Sequence, residues 1–265
     1  MGLETAPAPG LNPGLARQRA VILTALIATT ALSWVWVVYQ ARSGMPMGLT
    51  GLGLTMGMDA WPFLVMWTVM MVGMMFPASA PMILAFSSIQ ARRQTKSQAY
   101  VPASVFTAAY MLVWIVFGVL AFGLASGIDA LAGRSAWLMS HWHYIAAGLI
   151  LMAGVYQFTP WKNVCLGRCR TPLGFLLQHW QDGWLGAFVM GIKHGLYCAG
   201  CCWLLFVILV PLGVMNLVAM GIVTVIVFAE KTLPGGDRIA RLAGAALIVF
   251  GTMALFRPGS LPGGM

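Results

Sequence analysis

Long apolar stretches alternate along this chain with short polar and glycine-rich connections. Seven stretches can be drawn, over residues 20–40, 61–87, 101–126, 142–159, 184–210, 213–229 and 239–256. Most reach the roughly 18 residues that a helix needs to cross a ~30 Å hydrocarbon core. The pattern predicts an all-α, polytopic transmembrane helix bundle of about seven helices. The number is six if the short break from Pro211 to Asn216 divides nothing. Punctuation at the edges fits these elements. Asp59 before Trp61-Pro62 predicts an N-cap with proline in the first turn. Thr171-Pro172 predicts a short surface helix with Leu173, Leu176, Leu177 and Trp180 on its apolar side. Leu233-Pro234-Gly235-Gly236 predicts a tight break.

The lysines and arginines orient the bundle. With the N-terminus inside, the inner segments hold Arg17, Arg19, Arg92, Arg93, Lys96, Lys162, Arg168, Arg170, Lys231, Arg238 and Arg241, and the outer ones only Arg42, Arg134 and Arg257. Eleven against three satisfies the positive-inside rule in one orientation only, with a cytoplasmic N-terminus. Residues 1–19 read as a flexible cytoplasmic segment, with no clear cleavage site after the first helix. Residues 20–256 read as one transmembrane domain, and 257–265 as a short tail.

Composition agrees, at 60% hydrophobic and 8% charged residues against about 25% charged in soluble domains. The net charge of +9 is spread over connections between apolar runs, so it encodes topology and excludes nucleic acid as the expected partner. Membrane lipid takes that place.

The chemistry concentrates in GIKHGLYCAGCCWLLF, residues 191–206. On a helix His194, Cys198, Cys201 and Cys202 stand at i, i+4, i+7 and i+8, within roughly 100° of one another. Gly191, Gly195 and Ala199 run beside them at a spacing that admits a close neighbouring helix. If hydrocarbon begins near Val189, Cys198 lies about 13 Å deep, near the middle of the core. Lys193 is an ammonium in the same segment, and Glu230 is its expected partner. Cys198-Ala199-Gly200-Cys201 also spells C-x-x-C, but mid-helix rather than at an exposed helix start where thiol redox chemistry works.

Methionine selects the metal. Ten of the nineteen methionines fall between Met45 and Met82. Two M-x-M pairs, Met45/Met47 and Met56/Met58, occupy a glycine-rich outer loop, and Met66, Met70 and Met74 share one face of the next helix. Thioethers bind Cu(I) and hardly bind zinc, whereas thiolate and imidazole suit both. Copper, as Cu(I), is therefore the expected ion, with zinc less favoured. Pro77 and Pro81 are expected to break that helix and free carbonyl oxygens. His141 and His143 open the fourth helix on the outer side. Cys165 and Cys169 in CLGRC, flanked by Arg168 and Arg170, are expected to be low-pKa thiols at an inner docking point. The order of outer Met, intramembrane Met, His/Cys and inner Cys reads as a relay for a soft cation.

MWTVMMVGMMFPASAPM (66–82), TPWKNVCLGRCRTPL (159–173), GIKHGLYCAGCCW (191–203), VMNLVAM (214–220) and EKTLP (230–234) resemble a bacterial family of predicted metal-binding integral membrane proteins of unknown function. The resemblance covers about residues 60–250. It implies an inner-membrane helical protein with a metal site and no established reaction.

The expectation is thus a non-enzymatic protein without catalytic residues, binding soft metal for transport or for delivery to a metallochaperone or metalloenzyme client. The alternatives are an assembly or structural subunit of a membrane metalloenzyme or respiratory complex, and a membrane thiol oxidoreductase. Oligomeric state is left open.

Overall fold

The computed structural model describes residues 13–43, 53–94, 101–214 and 216–257, and among them no strand occurs. The helices are α1 (Pro13–Arg42), α2 (Ala60–Gln94), α3 (Ala103–Ala132), α4 (Ala136–Tyr156), α5 (Pro160–Arg170), α6 (Pro172–His179), α7 (Gly183–Val207), α8 (Leu209–Leu212), α9 (Leu217–Thr232) and α10 (Gly236–Phe256). Six stretches are long and apolar enough to cross a membrane: α1, α2, α3, α4, α7 with α8, and α10. The 16 residues of α9 stop short of that length. The fold is the all-α bundle expected. Helix α1 starts at Pro13, so residues 13–19 are helical rather than a loose leader.

The glycines that predict close approach deliver it. A Cβ on Gly191 would stand 2.4 Å from the Phe106 carbonyl oxygen, and one on Gly195 would stand 2.7 Å from Val113 Cγ2. These contacts seat α7 parallel to α3. Likewise Gly154 meets Gly244 and Ile248, and Gly251 meets Leu151, which sets α4 antiparallel to α10.

Helix α2 runs unbroken through Pro77 and Pro81, contrary to the expected break. Proline at 77 removes the N–H that would bond the Gly73 carbonyl. Trp34 Nε1 donates to that oxygen at 3.2 Å, so the freed acceptor anchors α1.

Between α4 and α7 the chain makes two short helices. Thr159 caps α5, accepting from Lys162 N with Pro160 in the first turn. Thr171-Pro172 starts α6 as predicted. Its apolar side divides differently: Phe175 and Leu176 are buried, and Leu173 and Leu177 exposed. At the start of α7 the Asp182 carboxylate meets Arg93 and accepts from Trp180 Nε1. The Arg93 guanidinium, then Trp180, holds it below the usual carboxylate range.

Ion pairs of Arg93 with Asp182, Lys162 with Glu230 and Arg170 with Asp237 mark one basic end of the bundle. Near the opposite end the M-x-M loop is clasped to α3. Leu54 N and Thr55 N donate to the Asp129 carboxylate at 3.1 and 3.0 Å. Met56 follows with φ of 53°.

Candidate metal centre

Three α7 thiols and both α5 thiols meet in one place. Cys198, Cys201 and Cys202 are each at most 1% exposed. Both Cys201 Sγ and Cys202 Sγ donate to the Cys198 carbonyl oxygen, at 3.1 and 2.9 Å. Cys169 lies against Cys198 and Cys201, close enough for thiol–thiol interaction. Cys165 Sγ occupies the space that a Gly200 side chain would fill, 2.9 Å from its ideal Cβ. Gly200 therefore matters as an absence: any side chain there would push α5 off α7.

Cys165 and Cys169 thus stand with the α7 thiols, Cys165 half-buried and Cys169 buried. Their thiol pKa values move upward, opposite to the lowering expected. Burial pushes the Cys165 thiol up, and thiol–thiol interaction with Cys198 and Cys201, then burial, holds Cys169 well above its ordinary value. The flanking guanidiniums are engaged elsewhere. Arg168 bonds Gln178, and Arg170 donates to Asp237 at 2.9 Å and to the Leu233 carbonyl at 3.2 Å.

The charged groups at the thiols differ from those the sequence pointed to. Lys231 Nζ, on the last turn of α9, donates to Cys198 Sγ at 2.9 Å, and Tyr110 Oη on α3 lies 3.1 Å from the same sulfur. Glu230 pairs not with Lys193 but with Lys162, at 2.7 Å, with both side chains 1% exposed. Lys162 also bonds the Gln157 side chain. Lys193 is half-buried. The geometry explains the exchange. Glu230 and Lys231 are adjacent, so they leave α9 in different directions, one toward α5 and one toward α7. The following turn holds them there: Gly235 sits at φ +81°, and a Cβ on Gly236 would fall 2.0 Å from the Glu230 carbonyl oxygen.

Contacts fix the level of the cluster in the bundle. Lys231 reaches Cys198 from one residue before the end of α9, Tyr156, the last residue of α4, donates its hydroxyl to the Gly200 carbonyl, and Tyr110, the eighth residue of α3, meets the Cys198 sulfur.

His194 is buried among rings. Its imidazole stacks on Phe106 and Tyr110 with centroids 5.8 and 5.3 Å away, and Phe175 meets it edge-on at 5.6 Å. Neither ring nitrogen has a hydrogen-bond partner. A buried imidazole with two orphaned nitrogens is costly unless something completes it. Even so, among the described residues no three His, Cys, Asp or Glu side chains stand in a ready metal-holding arrangement.

The remaining candidates are dispersed. Met66, Met70, Met71, Met74, Met75 and Met82 are all at most 1% exposed. Met70, Met74 and the α7 cysteines belong to one continuous core, although α2 packs on α1, α3, α6 and α9 rather than chiefly on α7. Met56 and Met58 are half-buried, while Met45 and Met47 lie outside the described residues. His141 and His143 sit in the second turn of α4, not at its start. His141 stacks on Trp137 at 4.6 Å, and its Nδ1 lies 2.9 Å from the Trp137 carbonyl oxygen.

Lys162, Lys231, Gln157 and Tyr110 are the members of this site that sequence reasoning missed. The signal available was the Glu-Lys pair closing an apolar helix. Donor chemistry fits a soft cation: thiols are the majority, with an imidazole beside them and thioethers in the same core.

No curated protein and no solved structure matches the chain. A family model described as PpoB2, copper chaperone, matches residues 64–254. That span contains all five cysteines, Lys162, His194 and Lys231 and covers well over half of the sequence. The chain belongs to the PpoB2 copper chaperone family.

Proposed function

We propose that the chain is a multi-pass protein of the bacterial inner membrane that binds Cu(I) as cargo and hands it to a client metalloenzyme, without catalysing a reaction itself. The observation carrying this reading is the meeting of the α5 and α7 cysteines beside the Lys231 ammonium. The copper chaperone description of the family supports it.

Charge counting favours Cu(I). One Cu(I) between two thiolates carries a single negative charge, and Lys231, 2.9 Å from Cys198 Sγ, balances it. Burying a net charge in a low-dielectric interior is expensive, so a neutral ensemble is preferred. A divalent ion with the same two thiolates and the ammonium would leave a net positive charge.

Cys198 and Cys169 supply the primary sulfurs. Cys201, Cys202 and Cys165 are exchange partners within the same cluster, and His194 supplies a further donor. Loading requires Cys201 and Cys202 to rotate away from the Cys198 carbonyl. Met56 and Met58, with Met45 and Met47, capture the ion on the outer side, and Met70 and Met74 carry it inward. A chain of soft, low-coordinate sites keeps each transfer step shallow. Thiol oxidoreductase chemistry is disfavoured because its C-x-x-C pair works at an exposed helix start, whereas Cys198 and Cys201 lie well inside α7, Gly183–Val207.

Metal analysis of the full chain, purified under reducing conditions from copper-supplemented cells, tests this reading. The wild type should carry about one copper per chain, and Cys169→Ser with Cys198→Ser should lower it roughly tenfold. A metal-free wild type with a large co-purifying partner would support a structural subunit instead.

A further inference from the structure

A groove of about 1070 Å³, with no cysteine in its lining, lies between α1, α2, α6 and α9. Its walls are mainly hydrocarbon, including Ile27 on α1, Pro81 and Leu84 on α2, Leu173 on α6 and Phe228 on α9. Two guanidiniums, Arg19 and Arg92, line its basic end, and among the described residues no carboxylate lines it. The lining runs from residue 19 to 31 on α1 and from 77 to 92 on α2, about 18 and 22 Å of helix. That is the depth of one leaflet with its headgroup layer, about half of a 40–45 Å bilayer.

The groove exists because α1 leans chiefly on α2. Only 17% of the most apolar stretch of α1 is buried. A crevice of this size between a loosely held helix and the bundle must be filled with something apolar, and its cationic mouth selects what fills it.

We propose that this groove binds one anionic phospholipid. Its phosphodiester sits between Arg19 and Arg92, and an acyl chain lies along the α1–α2 seam past Pro81. Basic pockets at the cytoplasmic ends of membrane helices bind anionic headgroups in this way. A zwitterionic headgroup would bring its own cation against two guanidiniums. A helix from another protein would need carboxylates to match that cationic mouth. The proposal rests on the membrane-spanning reading above but not on the copper site.

Native mass spectrometry of the delipidated full chain, offered phosphatidylglycerol or phosphatidylcholine, tests it. One phosphatidylglycerol should be retained, in preference by tenfold or more, on the order expected of two cations at an anionic headgroup. Arg19→Gln with Arg92→Gln should abolish the preference, and Ile27→Trp should reduce retention of both lipids by filling the groove. Copper content, measured on the same samples, should stay unchanged and reports that the variants are folded. Equal retention of the two lipids by the wild type, an undiminished preference in the double variant, or a polypeptide held in place of lipid would each overturn the proposal. Absence of copper from a wild type that keeps its lipid preference would count against the metal reading alone. Extraction of the chain from membranes by alkaline carbonate would overturn both.

Discussion

Lys162 carries the sharpest energetic consequence of this fold. It is fully buried, and its ammonium has two partners, Glu230 Oε2 at 2.7 Å and the Gln157 side-chain oxygen. Lys162→Met would leave the Glu230 carboxylate, 1% exposed, without its counter-charge. Removing one partner of a buried pair costs about 3–5 kcal/mol, because the remaining charge has neither water nor a counter-ion. Replacing both groups by apolar ones is neutral or stabilising by about 1–4 kcal/mol. Here that gain is offset by the orphaned Gln157 oxygen, worth about 1–3 kcal/mol. Lys162→Met with Glu230→Leu should therefore return to within about 2 kcal/mol of the wild type. A double-mutant cycle in chemical denaturant on the detergent-solubilised chain reads the coupling directly. The single variant should also lose copper, since the pair ties α5 to α9 and thereby keeps Cys169 against Cys198. A Lys162→Met variant within about 1 kcal/mol of the wild type, or a double variant no better than the single, would refute the buried pair.

Three further outcomes follow from named contacts. Lys231→Met should keep the fold but lower Cu(I) affinity at least about tenfold in competition with a soluble chelator, because the metal–thiolate centre loses its counter-charge; unchanged affinity would remove Lys231 from the site. Gly195→Leu should lower thermal stability by several kcal/mol and release copper, as its side chain must enter the space of Val113 Cγ2, 2.7 Å from the ideal Cβ. Retained stability there would contradict the close α3–α7 seam. Asp129→Ala should slow copper uptake into vesicle-reconstituted protein without changing the final copper content, since it frees the loop at Leu54 and Thr55 that presents Met56 and Met58. An unchanged rate would take that loop out of the uptake path.

Apolar length and proline-threonine punctuation made most of the architecture legible. They marked the long helices and the start of α6, because those features act locally, whereas α5, capped by Thr159, went unmarked. The Gly191/Gly195 stripe announced a close neighbour in the same way. Which thiols would meet was not local. Nothing in CLGRC says that α5 folds back onto α7, and only Gly200 gives Cys165 room. Lys162 and Lys231 satisfied the positive-inside count as well as exposed lysines would, so the count hid their burial. His194 has ligand spacing, yet spacing is blind to the Phe106, Tyr110 and Phe175 rings around it. Asp129 is 75 residues from Leu54, beyond the reach of any pattern in the loop itself.

Copper K-edge X-ray absorption on the purified, copper-loaded chain tests the central claim most directly. The account predicts Cu(I) with sulfur as its dominant neighbour, and a signal that collapses when Cys169 and Cys198 are replaced by serine. Copper surrounded by nitrogen and oxygen, or a sulfur signal that survives the loss of both cysteines, would contradict it.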